Sequence, residues 1–383
     1  MKTVASTLLI FVIVFLSSQQ SFSLNITAPD KIKVALVEGA NEVELAIKGP
    51  YEIINAATGE VLDKGDILWQ GKFSVSFKGI NLKTFKDRLF KADKIDIIPL
   101  KSPSIYFGKC LYRGTLQLIK TKQGTLTAVN ILDLEDYIKG VLYHEISHRW
   151  PPEAIKAQAV TSRTFAIYQA QENYDKDFYL KADVSSQVYR GSYAEKYRTN
   201  KAVEETNGEI LVYDGKVLPA FFHACCSGKT ESASNLWKIS SRPLKGIRCD
   251  YCKNAPHFSW QREVSLDEIE GKISRALHPI GKIKSIKILS RNSSGRVKNI
   301  RVRAQKTINI SAKDLRSIIG SRILSSTNFT VNIKNRKAYF KGYGWGHGVG
   351  LCQWGSFAMA KKQRGYKEIL EYYYPGAEII KLQ

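Results

Sequence analysis

The chain has 383 residues, enough for two or three domains and a sizeable core, and its 44% hydrophobic content excludes wholesale disorder. Lys and Arg number 58 against 35 Asp and Glu, a formal charge of +23. Such a field draws polyanions. The basic residues are spread along the chain, however, rather than gathered into a nucleic-acid-binding tail, and a solvated basic surface also accounts for them.

Residues 1–23, MKTVASTLLIFVIVFLSSQQSFS, have the form of a secretory signal peptide, with Lys2, an apolar run from Leu8 to Leu16, and small residues at Ser21 and Ser23. The run is short for a bilayer span, and an uncleaved anchor is the alternative. An exported protein of the periplasm or cell envelope follows, with membrane contact only through that anchor and no nucleic acid as partner.

Residues 24–130 alternate apolar and polar in short runs such as KIKVALVE, EVELAIKG and KFSVSFKG, a β-rich region separated by turn residues. Residues 131–383 form a second region. Its predicted elements are two helices, a third helix over Tyr197–Glu205, strands over Glu209–Tyr213 and Val217–Ala224, a cysteine-rich segment over 223–257, a hairpin, a short helix, a strand, and a glycine-rich tail with two helical segments. Helices and strands interleave without regular βαβ spacing, so the fold class is α+β.

The stretch Asp133–Tyr168 carries the strongest chemical signal. Leu134, Ile138, Val141 and Glu145 share one helical face. A carboxyl group on a buried face resists ionisation, which is what a general acid requires. A capping or solvated Glu is the competing reading. The next helix opens at Pro151-Pro152-Glu153, suited to a first turn. It carries Ala154, Ala157, Ala159 and Ala166, which permit close approach, with Lys156 and Arg163 inserted among them. The planar fork of Arg163 can orient a carboxylate or a sugar hydroxyl; an ordinary surface arginine is the simpler alternative.

Cys249-x-x-Cys252 has half-site spacing for zinc, with His223, Cys225 and Cys226 upstream. A site of three thiolates and one imidazole fits this pattern, and so do disulfides in an exported chain. If Leu218–Cys226 stays extended, His223 and Cys225 share a face and Cys226 points away. The tail GYGWGHGVGLCQWG alternates glycine with Tyr343, Trp345 and His347, aromatic faces suited to sugar rings. It lacks the Lys-Ser/Thr of a phosphate-binding loop.

Four blocks together resemble the stage II sporulation protein D / amidase-enhancer family: HEISHRWPPEAIKAQAVTSRTFAIY, SSQVYRG, HACCSGKTESASNLW and GWGHGVGLCQWGSFAMAKKQRGYKEILEYYYPG. The resemblance implies a peptidoglycan lytic transglycosylase that cleaves between N-acetylmuramic acid and N-acetylglucosamine and leaves 1,6-anhydro ends. It places the catalytic acid at Glu145 and implies that Arg163, Gln187, Tyr189, His347 and Gln353 are cleft residues that bind glycan; Lys156, inserted among the alanines, is expected to bind glycan with them. His223, Cys226, Cys249 and Cys252, followed by PHFSW, look like the metal-type subset, implying a structural zinc and favouring Cys226 over Cys225. A cell-wall amidase is the implied protein partner. The alternatives are a hydrolytic muramidase and a non-catalytic wall-binding protein that stimulates an amidase. The chain departs from the family at Ile146-Ser147, where Met-Pro is common, at Val184, where Thr is frequent, and at Ser227, where Gly is usual.

Overall fold

A computed structural model describes residues 26, 28–84, 87–101 and 105–382. The signal-peptide-like segment lies outside the described residues. Among them, no helix is long and apolar enough to cross a membrane.

The N-terminal runs become an 11-stranded sheet. From one edge its strands are Leu180–Lys181, Ile32–Ala40, Leu126–Leu132, Thr115–Lys120, Lys94–Pro99, Glu42–Asn55, Val61–Ser76, Gly79–Lys83 and Arg88–Phe90, with two short strands branching from Glu42–Asn55. Leu180–Lys181 pairs parallel with Ile32–Ala40, and the other pairings are antiparallel. The period-2 pattern sets the faces: Val43, Leu45 and Ile47 point inward while Glu42 and Glu44 point to solvent.

Helix α1 (Leu134–Glu145) and helix α2 (Pro152–Glu172) pack on this sheet. Ile32, Val34, Leu116 and Leu118 share one apolar core with Ile138, Val141, Ile155 and Ala159. The boundary expected at residue 130 therefore does not divide two cores. Helix α2 is buried on nearly every side because alanines replace bulky residues where neighbours approach. Those neighbours include α1, α3 (Tyr197–Glu205) and the strand Glu209–Tyr213.

Beyond α3 the expected strand Val217–Ala224 is broken into Lys216–Val217 and Phe222–His223. Pro219 lies between them and cannot donate to a ladder. Phe222–His223 pairs instead, parallel, with Leu351–Cys352 from the tail. After α4 (Ser234–Trp237) the chain enters a unit with its own core, running from Trp260 to Phe340. It contains two three-stranded sheets, α5 (Leu266–Ala276) and α6 (Ala312–Ile319). Ser265 and Ser311 cap these helices by accepting from the backbone N–H of Glu268 and Asp314. The tail then returns to α2 through α7 (Gln353–Lys361) and α8 (Tyr366–Tyr373). Sheets and helices are mixed in this way throughout, and the fold is α+β.

Candidate functional site

Helix α1 ends at Glu145 because Ile146 leaves in an extended conformation, φ −144° and ψ 143°. The side chain of Glu145 is half-buried and lines a cleft of about 790 Å³. His347, Trp345 and Gln353 from the tail and Lys313 and Arg316 from α6 line the same space. Burial pushes the Glu145 carboxyl up to about 7, against the lowering effect of the Val188 N–H, which donates to Oε1 at 2.9 Å. The negative end of the α1 dipole also disfavours a carboxylate there. A group titrating near neutral pH can give a proton and take one back.

The Val188 contact depends on a close approach. A Cβ on Gly140 would stand 2.5 Å from Cε2 of Tyr189, so only glycine lets the 187–190 segment lie this near α1. Behind the acid runs a buried polar chain. Gln353 Nε2 donates to Glu145 O at 2.8 Å and to Gln158 Oε1 at 3.3 Å. Gln158 Nε2 donates to Ser162 Oγ, Gln187 Nε2 to Ser162 O, and Tyr137 OH to Gln187 Oε1. The Glu145 carbonyl is one of the helix-end acceptors left without an intrahelical partner. Gln353 supplies that partner and ties the tail to the acid's turn. Trp150, just past that turn, packs on Trp354 and Phe357 of α7 at ring-centroid distances of 4.9 and 5.0 Å.

On the opposite wall, Trp237 stacks on Phe221 at 4.2 Å, and its ring meets that of His347 edge-on at 5.1 Å. Burial and the charge of Arg316 push the His347 imidazole down to about 3, so the ring is neutral. Its Nδ1 accepts from Val349 N–H at 3.0 Å. The glycine-rich tail reaches this position by running close to the 221–225 segment. A Cβ on Gly350, at φ +70°, would stand 1.9 Å from Phe221 O.

His347 and Gln353 of the expected glycan-binding residues therefore line the cleft. Four others do not, and each has a physical reason. Arg163 is fully buried and commits Nε and Nη2 to Glu135 at 2.7 Å each and Nη1 to Glu209 O at 3.0 Å, leaving no face for a ligand. Lys156 pairs with Glu205 at 2.8 Å and Glu153 at 3.1 Å. Gln187 belongs to the buried chain behind the acid. Tyr189 is buried and donates to Asn130 Oδ1 at 2.8 Å, beside a separate cleft of about 500 Å³. Sequence reasoning missed Val188, whose backbone makes the contact, and Lys313 and Arg316, whose helix gave no chemical signal.

The thiols of Cys226, Cys249, Cys252 and Cys352 lie within 4.8 Å of one another, all buried, in a group able to hold a metal ion. His223, expected as a ligand, falls outside this group and is replaced by Cys352; its Nδ1 meets Val349 O at 3.0 Å. A bend at Ala224 and the pairing of Cys225 with Trp345 turn Cys226 toward the cluster, against the simple strand argument. The residues fit zinc. The Cys226–Cys252 and Cys249–Cys252 sulfur separations of 3.4 and 4.0 Å bracket the edge of about 3.8 Å that a tetrahedron of Zn–S bonds requires. The N–H groups of Cys226 and Gly355 donate to Cys352 Sγ, as thiolate ligands need.

The family of stage II sporulation protein matches residues 122–213, and a domain of unknown function matches 232–350, which encloses the unit with its own core. An uncharacterized protein of Brachyspira hyodysenteriae is 34% identical over 360 residues, covering 91% of this chain and 92% of that protein. The amidase enhancer of Bacillus subtilis is 27% identical over 291 residues, covering 63% of this chain and 40% of its own length. Stage II sporulation protein D of Bacillus amyloliquefaciens is 28% identical over 267 residues, covering 66% and 75%. With the family model matching the segment that holds the acid and these relatives alongside it, the chain belongs to the stage II sporulation protein D / amidase-enhancer family.

Proposed function

We propose that this protein is an exported cell-wall enzyme that cleaves peptidoglycan strands by lytic transglycosylation. The observation that carries the reading is a single acid, raised to about 7 by burial, in a cleft walled by aromatic side chains. In its neutral form Glu145 protonates the glycosidic oxygen as positive charge develops at the muramoyl C1. As the carboxylate it then takes the proton from the C6 hydroxyl of the same sugar, whose oxygen bonds to C1 and closes the 1,6-anhydro ring. The acid is regenerated and no water is consumed. Hydrolysis ordinarily uses a second carboxyl group across the bond. Among the described residues Glu145 is the only carboxylic acid in the cleft lining, which favours an internal nucleophile of high effective concentration.

In this reading Val188 orients the carboxyl group, Gln353 holds its helix end, and the aromatic wall excludes water and stacks sugar. Cys226, Cys249, Cys252 and Cys352 would hold a structural zinc that cross-links the 224–252 segment to the tail, four ligands leaving no open position for substrate.

A relative named amidase enhancer supports a second reading, in which the protein binds the wall and stimulates an amidase partner without cutting glycan itself. One experiment separates the readings. Purified protein and its Glu145→Gln variant are incubated with isolated glycan strands and the products are weighed. Anhydro ends from the wild type alone are expected. Ends heavier by one water would make it a muramidase, and equal release from both proteins would remove Glu145 from catalysis.

A further inference from the structure

The unit with its own core sends one helix to the cleft, and that helix carries two cations. Lys313 and Arg316 stand one turn apart on α6 and both line the space that holds Glu145. Arg316 is fixed in place: Nε donates to Leu324 O at 2.8 Å and Nη2 to Ser325 O at 3.2 Å. Among the described residues its Nη1 has no hydrogen-bond partner and the guanidinium has no acid within ion-pair distance. Arg316 is half-buried, which lowers its pKa, and its charge is felt at His347. Lys313 donates to Leu236 O at 2.8 Å and lies 5.8 Å from the Trp237 ring centroid, again without an acid partner among the described residues.

Other arginines away from the cleft are held in two ways. Arg163 is matched to Glu135 and Arg336 to Asp267 and Glu270, whereas Arg291 and Arg296 are held by backbone carbonyls; of those without an acid partner, Arg316 is the one whose side chain lines the cleft. A half-desolvated cation left unmatched is costly unless an anion arrives to meet it. Below about pH 7 Glu145 is mostly protonated and His347 is neutral, and among the described residues no other acid lines the cleft to oppose that anion.

We propose that Lys313 and Arg316 form a carboxylate-binding subsite, contributed by the inserted unit, that engages an acidic group of the strand presented to Glu145. The proposal rests on the glycan reading above and names the substrate feature recognised. Carboxylates on such a strand come from two sources: the lactyl group of a muramoyl residue that lacks its peptide, or the peptide itself. Both offer the planar, charged acceptor that a guanidinium and an ammonium bind through short, charge-assisted bonds.

The test is equilibrium binding in the Glu145→Gln background, where strands are not consumed. The probes are peptide-free and peptide-bearing glycan fragments, each with carboxyl groups free or capped as methylamides. Free carboxylates should bind roughly tenfold tighter than capped ones, and the double variant Lys313→Gln/Arg316→Gln should erase that difference. Whichever strand type shows the difference identifies the source. Lys313 is exposed, so Lys313→Gln alone, expected to cost roughly threefold, keeps the test decisive if the Arg316 variant fails to fold. Equal binding of free and capped strands, or a preference that survives in the double variant, would overturn the subsite while leaving the glycan reading intact. Failure of every strand to bind would overturn both.

Discussion

Glu145 sits on a wall whose buried charges are all matched, whereas Arg316 faces the same cleft from a wall that leaves its charge unmatched. On the first wall Arg163 meets Glu135, and the amides of Gln158, Gln187 and Gln353 satisfy one another and the helix end. That wall shares its core with the large sheet, and its rigidity keeps one carboxyl group poorly hydrated. The second wall is assembled from the 221–224 segment with Trp237, from Trp345 and His347 of the tail, and from α6 of the inserted unit. The difference teaches where chemistry and selectivity reside: the matched wall sets a proton affinity, and the unmatched wall offers charge to a ligand.

Four measurements on three variants would break or sharpen this contrast. The largest effect is expected from Glu145→Gln, which should lower the glycan-cleavage rate by about a thousandfold with unchanged circular dichroism. A smaller loss would move the acid role to another group. Arg163→Met should cost about 3 kcal/mol in denaturant unfolding, because the half-buried Glu135 loses its partner and the carbonyls of Glu209 and Val203 lose their donor. Binding of glycan by the folded fraction should be unaffected, and a selective rise in KM would return Arg163 to the binding site.

Glu145→Gln should also change stability with pH. The folded carboxyl titrates near 7, above its unfolded value of 4.5, so the folded state binds the proton more tightly. The wild type therefore loses stability as pH rises between those values, and Gln escapes the loss. At pH 8 the variant should be more stable by about 3 kcal/mol, with no advantage at pH 4. Equal stability at both pH values would mean the acid is well hydrated. The smallest effect is expected from Gln353→Ala, about 1 kcal/mol in unfolding free energy, with the pH–rate midpoint moved because the turn at Glu145 loosens.

Much of the matched wall was legible in the sequence, because its signals are local. The face made by Ile138, Val141 and Glu145 follows from helical period, and both helices form as that period indicates. Arg163 was legible as a polar group in a tight surface, but its partner lies 28 residues away, and spacing along α2 does not encode that meeting. The unmatched wall depends on longer returns. Cys352 joins the cluster only because Leu351–Cys352 pairs with Phe222–His223, which also displaces His223 from the ligand set. Helix α6 was expected as a short helix, but not its place at the cleft, since Lys313 and Arg316 acquire meaning only once Trp237 and His347 stand nearby.

The cysteine cluster offers a further check. Protein purified without chelator should carry one zinc ion per chain by elemental analysis, and Cys352→Ser should lose it. His223→Ala should retain it, because that imidazole lies outside the thiol group. Retention by the first and loss by the second would restore the ligand set expected from the sequence.

The most direct measurement is the titration of Glu145 itself, followed by the carbon chemical shift of its carboxyl group in selectively labelled protein and assigned by its absence in Glu145→Gln. A midpoint at about 7 is expected, with the neutral form prevailing below it. A midpoint in the ordinary glutamate range would contradict the account, because the acid would then hold no proton to give when the glycan strand arrives.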